Sequence, residues 1–112
     1  MDISVQKSDQ ISIVSIAGSF DALTADQITG CLDERISSGE KHLVLDLSEV
    51  EFMSSAGLRV ILGALKETRQ AGGDLYLAGA QGGVDRVLKM SGVSKILKAY
   101  DSVDNAIAQF NV

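Results

Sequence analysis

The stretch His42-Leu43-Val44-Leu45-Asp46-Leu47-Ser48-Glu49-Val50-Glu51-Phe52-Met53-Ser54-Ser55-Ala56-Gly57-Leu58-Arg59-Val60-Ile61-Leu62 decides how this chain folds. Its first six residues form a short, nearly continuous apolar run, the pattern of a strand covered on both faces of a sheet. This is the expected central strand. A short acidic connection follows, and a helix then begins near Ser54 or Ser55. The helix keeps Leu58, Ile61, Leu62 and Leu65 on one stripe until Gly72-Gly73 stops it. A buried strand followed directly by an amphipathic helix is half of a parallel crossover unit, so helices are expected to pack on a sheet.

The flanking sequence extends that unit in both directions. Residues 2–7 alternate Ile3 and Val5 with polar neighbours, and after Ser8-Asp9 residues 10–17 alternate again through Ile11, Ile13 or Val14, and Ile16. Together they predict a β-hairpin. Over 24–38, Ile28, Cys31, Leu32 and Ile36 recur at helical spacing, with Thr24 and Gln27 placed as a capping box and Gly39 as the stop. Downstream of the second helix, Asp74–Ala78 reads as a strand, and Val84, Val87 and Leu88 as a short helix closed by Gly92. Residues 95–100 read as an edge strand, with a terminal helix capped by Ser102 running through Ala106 and Phe110. The expected fold is α/β: one domain over residues 1–112, a mixed sheet opening with a hairpin, and about four helices packed on it.

Composition narrows the function classes. At 112 residues with 46% hydrophobic content the chain can bury a core without metals or disulfides. One Cys and one His exclude an internal disulfide and any zinc site built from several such ligands. A net charge of −5 is the wrong sign for gripping a phosphate backbone, so nucleic acid is not an expected partner. The start Met1-Asp2-Ile3-Ser4-Val5-Gln6-Lys7 lacks the pattern of a secretory leader, and no apolar stretch approaches the ~18 residues of a membrane span. The expected location is the cytoplasm, with the thiol reduced.

Standard phosphate-cradling and hydrolase motifs are missing: no G-x-G-x-x-G, no G-x-x-x-x-G-K-[ST] and no G-x-S-x-G. His42 opens the apolar strand, where it reads as an ordinary strand-end residue rather than a triad member. Cys31 falls on the apolar stripe of the first helix and reads as a buried structural thiol. No enzyme, metal or cofactor is expected. The two adjacent hydroxyls of Ser54 and Ser55 stand out, since they open a helix. By themselves they read as caps, and Gly57 as a close-packing glycine.

A resemblance adds to that reading. The segment from Asp46-Leu47-Ser48 through Phe52-Met53-Ser54-Ser55-Ala56-Gly57-Leu58 is similar to the signature of the STAS domain family. There an Asp-Leu-Ser turn leads to an aromatic residue, Met or Ile, and an Asp-Ser-Ser/Thr-Gly-Leu helix start. Gly18-Ser19-Phe20-Asp21-Ala22-Leu23-Thr24-Ala25 resembles the family's Gly-Glu-Leu-Asp-x-x-Thr-Ala. Gly72-Gly73-Asp74-Leu75-Tyr76-Leu77 matches the strand after the second helix. Val87-Leu88-Lys89-Met90-Ser91-Gly92-Val93-Ser94-Lys95-Ile96 is similar to the closing Leu-x-x-Ser/Thr-Gly-Leu-x-x-Ile.

The resemblance implies a bacterial anti-sigma-factor antagonist that works by partner switching. Unphosphorylated, such a protein binds an anti-sigma-factor serine kinase; the kinase, using ATP, phosphorylates it and lets it go, and a serine phosphatase resets it. The phosphoacceptor aligns with Ser55, with Ser54 as the alternative. Ser54 stands where the family has Asp, and Ala56 where it has a second Ser or Thr. The partner surface implied is Ser19, Asp21, Ser54, Ala56, Gly57 and Arg59. Ser19 departs from the family's Glu. Arg59, four residues after Ser55, is placed either to face solvent or to pair with the phosphate. The rival implication is an unphosphorylated scaffold subunit that binds protein partners in a signalling assembly.

Overall fold

A computed structural model of the chain describes residues 1–111. Among the described residues five strands form one sheet and lie side by side in chain order. β1 (Asp2–Ser8) and β2 (Ile11–Phe20) are the antiparallel hairpin, turned by Asp9 at φ 55°. β3 (His42–Met53), β4 (Asp74–Ala78) and β5 (Lys98–Tyr100) join β2 in parallel. The helices are α1 (Ala25–Ser37), α2 (Ser55–Gln70), α3 (Gly82–Met90) and α4 (Val103–Gln109). The element order and the hairpin-plus-crossover topology are those expected.

Two apolar layers sandwich the sheet. Ile28 and Leu32 of α1, Ile61 and Leu65 of α2, and Val84 and Leu88 of α3 pack with Val14, Ile16, Leu43, Leu45, Leu75 and Leu77 on one face. On the other face α4 sets Ala106 against Ile11, Ile13, Val44, Tyr76 and Ala78. Phe110, just past α4, stacks on Tyr76 at 4.0 Å between ring centroids, and its edge meets the His42 ring at 5.6 Å. His42 is therefore half-buried strand-end packing, as its position suggested. Covering on both faces explains why the first half of β3 reads as a nearly continuous apolar run.

Several boundaries differ from expectation for identifiable reasons. The acidic connection 48–53 is the second half of β3, which pairs with β2 as far as Phe20↔Met53. Two irregularities in that ladder each give β3 one extra residue, so Ser15↔Asp46 is followed by Ala17↔Glu49, and Gly18↔Val50 by Ser19↔Phe52. The buried positions then fall at Leu47, Val50 and Met53, every third residue. Strand alternation is lost in the sequence although the strand continues. Asp46 anchors the first irregularity: its Oδ1 accepts the Ser48 N–H at 3.1 Å and its Oδ2 the Ser15 hydroxyl at 3.1 Å.

Toward the C-terminus, β5 is shorter than 95–100, because Val93–Lys95 forms a 3-10 turn. The Thr24–Gln27 capping box does not form; the Thr24 hydroxyl turns back into the preceding loop. Cys31 is half-buried rather than buried. Burial still pushes its thiol pKa up, outweighing the downward pull of Arg35, so it is a poor nucleophile at neutral pH.

Candidate functional site

The site lies where β2 and β3 run out and α2 begins. Ser54 is extended (φ −100°, ψ 178°) and caps α2, its hydroxyl oxygen accepting the Ala56 N–H at 3.2 Å. Its own N–H donates to the Phe20 carbonyl at 3.0 Å, tying the helix start to the end of β2. A serine performs here the capping that an aspartate would perform, because either side chain offers an oxygen to the orphan N–H groups. With that role taken by Ser54, Ser55 is the first helical residue and is exposed; among the described residues its hydroxyl makes no hydrogen bond. The two serines are thus chemically distinct, one engaged in the fold and the other offered to solvent.

Gly57, in the first turn of α2, abuts the ends of β2 and β3. A Cβ there would sit 2.9 Å from the Phe20 carbonyl oxygen, 3.0 Å from Met53 Cγ and 3.1 Å from Phe20 Cδ1. Absence of a side chain lets the helix approach close enough for the Ser54–Phe20 hydrogen bond. Phe20, fully buried between strand and helix, was not singled out from the sequence; the signal available was an aromatic residue beside Asp21 at the end of an alternating run.

The loop between β2 and α1 is the second wall. Asp21 Oδ1 accepts the Leu23 N–H at 3.0 Å, and the Asp21 carbonyl accepts the Thr24 and Ala25 N–H groups at 3.2 and 2.9 Å. Thr24 Oγ1 accepts the Asp21 N–H at 3.1 Å and donates to the Ser19 carbonyl at 2.8 Å. Ser19 and Asp21 are half-buried and joined to the α2 start through Phe20. A third segment arrives from β4: Gln81 Nε2 donates to the Ser48 carbonyl at 3.2 Å. Gly79, at φ 74°, passes so near Ser48 that a Cβ would lie 2.9 Å from its Cβ.

Of the expected surface, Ser19, Asp21, Ser54, Ser55, Ala56 and Gly57 converge on this end of the sheet. Arg59 lies farther along α2, exposed, and lines a groove with Thr29 and Asp33 of α1 and with Glu67. The Glu67 carboxyl is pushed up by burial and by the Asp33 carboxylate beside it. Among the described residues no group of three His, Cys, Asp or Glu side chains could hold a metal ion, and no helix is long and apolar enough to cross a membrane.

This end of the sheet presents a capped helix with the exposed Ser55 hydroxyl, framed by a hydrogen-bonded loop and by the acidic strand residues Glu49 and Glu51. Residues 2–106 match the STAS domain, and the chain belongs to the STAS domain family. It is 35% identical to the anti-sigma F factor antagonist of Paenibacillus polymyxa over 113 aligned positions, covering 100% of this chain and 97% of that protein. Against the anti-sigma-B factor antagonist of Listeria monocytogenes, identity is 34% over 98 residues, 88% of this chain and 85% of the relative. The crystal structure of an anti-sigma factor antagonist from Mycobacterium paratuberculosis superposes with a TM-score of 0.88 at 25% identity, covering 96% of this chain and 91% of that one.

Proposed function

We propose that this chain is an anti-sigma factor antagonist that binds an anti-sigma-factor serine kinase when unmodified and is released when that kinase phosphorylates Ser55. The observation that carries the reading is the division of labour at the start of α2. Ser54 holds the cap, which leaves the Ser55 hydroxyl exposed and without an internal partner, on a fixed backbone. The chain supplies no catalytic group; the kinase brings ATP, and a serine phosphatase restores the unmodified form.

A phosphoserine adds about −1.5 to −2 charge. At the first position of α2 it meets free N–H groups and the positive end of the helix dipole, so the modified protein stays folded. Release then arises at the interface, where a dianion pressed against the kinase is desolvated and poorly paired. Turning a complex from nearly all bound to nearly all free takes roughly 5.5 kcal/mol of differential affinity. A second mark of the same logic is the net charge of −5, which suits a partner with a basic face.

The test is incubation with purified serine kinases of the anti-sigma type from the same genome, with Mg-ATP, followed by intact mass and peptide mapping. One added phosphate on Ser55, abolished by Ser55→Ala and accompanied by dissociation, is the expected result. A kinase that binds the chain tightly but adds no mass would overturn phosphorylation at Ser55 in favour of a scaffold role.

A further inference from the structure

We propose that Leu23 is the apolar anchor by which this chain docks on its kinase, and that Asp21 is the positioning residue that presents it; the proposal rests on the reading of the chain as a kinase ligand given above. Leu23 is 93% exposed, the most exposed of the large apolar side chains among the described residues. A single exposed leucine is ordinary on a protein surface. What distinguishes this one is that its backbone is held by the dense set of hydrogen bonds already described around Asp21 and Thr24. An apolar side chain is thereby presented to water on an ordered loop, so little backbone entropy is lost when a partner covers it.

Position supplies the occupant. Leu23 follows by three residues Phe20, whose carbonyl accepts the Ser54 N–H, which places its Cα within about 11 Å of the Phe20 Cα by chain reach alone. Phe52, 55% exposed, pairs with Ser19 across the β2–β3 ladder and precedes Ser54 by two residues. Two of the exposed large apolar side chains therefore belong to segments bonded to the phosphoacceptor helix, close along the chain to Ser54 and Ser55. Asp26 in the first turn of α1 and Glu49 and Glu51 on β3 are exposed acids on the same segments. The matching partner surface is an apolar socket rimmed by basic side chains, on the kinase that must reach Ser55.

The geometry also separates two roles for Asp21. Its carboxylate oxygen accepts the Leu23 N–H and so shapes the turn, a task an asparagine oxygen performs equally well. A direct charge contact with the kinase would need the negative charge itself.

The experiment uses the full chain and the same panel of recombinant kinases with Mg-ADP for binding and Mg-ATP for turnover. Leu23→Ser is expected to weaken Kd by about 10- to 100-fold, the loss that goes with one leucine side chain left in water. It raises KM for Ser55 phosphorylation by a similar factor and leaves kcat within about twofold, because the anchor contributes equally before and during phosphoryl transfer. Leu23→Met retains binding, Asp21→Ala weakens it, and Asp21→Asn restores it. Unchanged affinity in Leu23→Ser, beside a wild-type chain that binds and is phosphorylated, overturns the anchor and leaves the proposed function standing. Equal damage from Asp21→Asn and Asp21→Ala overturns the positioning role and assigns the carboxylate to direct charge pairing. A wild-type chain that no kinase binds overturns both the proposed function and this inference.

Discussion

Replacing the two serines at the start of α2 one at a time should separate stability from phosphorylation. Ser54→Ala removes the oxygen that accepts the Ala56 N–H. Loss of an N-cap side chain costs about 0.5–2 kcal/mol, with a central value near 1. Unfolding entropy for a domain of this length converts that to about 4 °C in Tm per kcal/mol, so a drop of roughly 2–8 °C is expected. Ser54→Asp keeps an acceptor and adds a negative charge at the positive end of the helix, which contributes about 0.3–1 kcal/mol and returns Tm to the wild-type value or slightly above. Ser55→Ala removes an exposed hydroxyl with no internal partner, and stability stays within about ±0.5 kcal/mol. Phosphorylation responds in the opposite way: Ser54→Ala still gains one phosphate, whereas Ser55→Ala gains none. Differential scanning calorimetry and intact mass on the same three variants read both axes. A Ser55→Ala variant that loses more stability than Ser54→Ala, or a phosphate that persists in Ser55→Ala, refutes the division of roles.

Gly57→Ala should destabilise the fold despite the usual gain of about 1 kcal/mol for replacing a helical glycine. The new methyl would meet the Phe20 carbonyl oxygen at 2.9 Å, and overpacking of this kind costs about 1–3 kcal/mol. Urea denaturation should show a lower midpoint, and a midpoint equal to or above wild type would contradict the close approach of α2 to the Phe20 carbonyl. At the opposite end of the sheet, Glu40 accepts the buried Ser12 hydroxyl at 2.5 Å and pairs with Arg35 and Lys7. The Ser12 hydrogen bond, then the two cations, hold the Glu40 carboxyl below its ordinary value of 4.5. Its contribution is therefore fully present above that value and disappears as pH falls through the lower folded-state value. Glu40→Gln should lose stability at pH 7 relative to wild type, and the gap should narrow progressively as pH falls below 4.5; a gap that stays constant across an acid titration of unfolding free energy would rule this out.

The legibility of the fold followed from where side-chain period and burial coincide. α2 and the first half of β3 were readable because one face, or both, is covered, and composition then mirrors burial directly. The second half of β3 was not, because its pairing with β2 inserts two extra residues and converts a period of two into a period of three at Leu47, Val50 and Met53. Thr24 misled for a related reason. A hydroxyl three residues before Gln27 fits a capping box locally, yet the Ser19 carbonyl, brought close by the loop, is the partner it takes.

The site divides along the same line. Residue types and their order along the chain sufficed to mark Ser54, Ser55 and Gly57, since caps and close-packing glycines are local devices whose physics acts within a few residues, whereas Asp21 was marked by the family resemblance. Which serine caps and which is exposed depended on the extended backbone at Ser54, and that is imposed by its hydrogen bond to Phe20, a residue more than thirty positions away. The convergence of the β2–α1 loop, the end of β3 and the Gly79–Gln81 segment, and the exposure of Leu23, likewise exist only once the parallel strands are in register. Local sequence determined the elements and their chemistry; contacts between elements distant in the chain decided which hydroxyl and which leucine are left exposed.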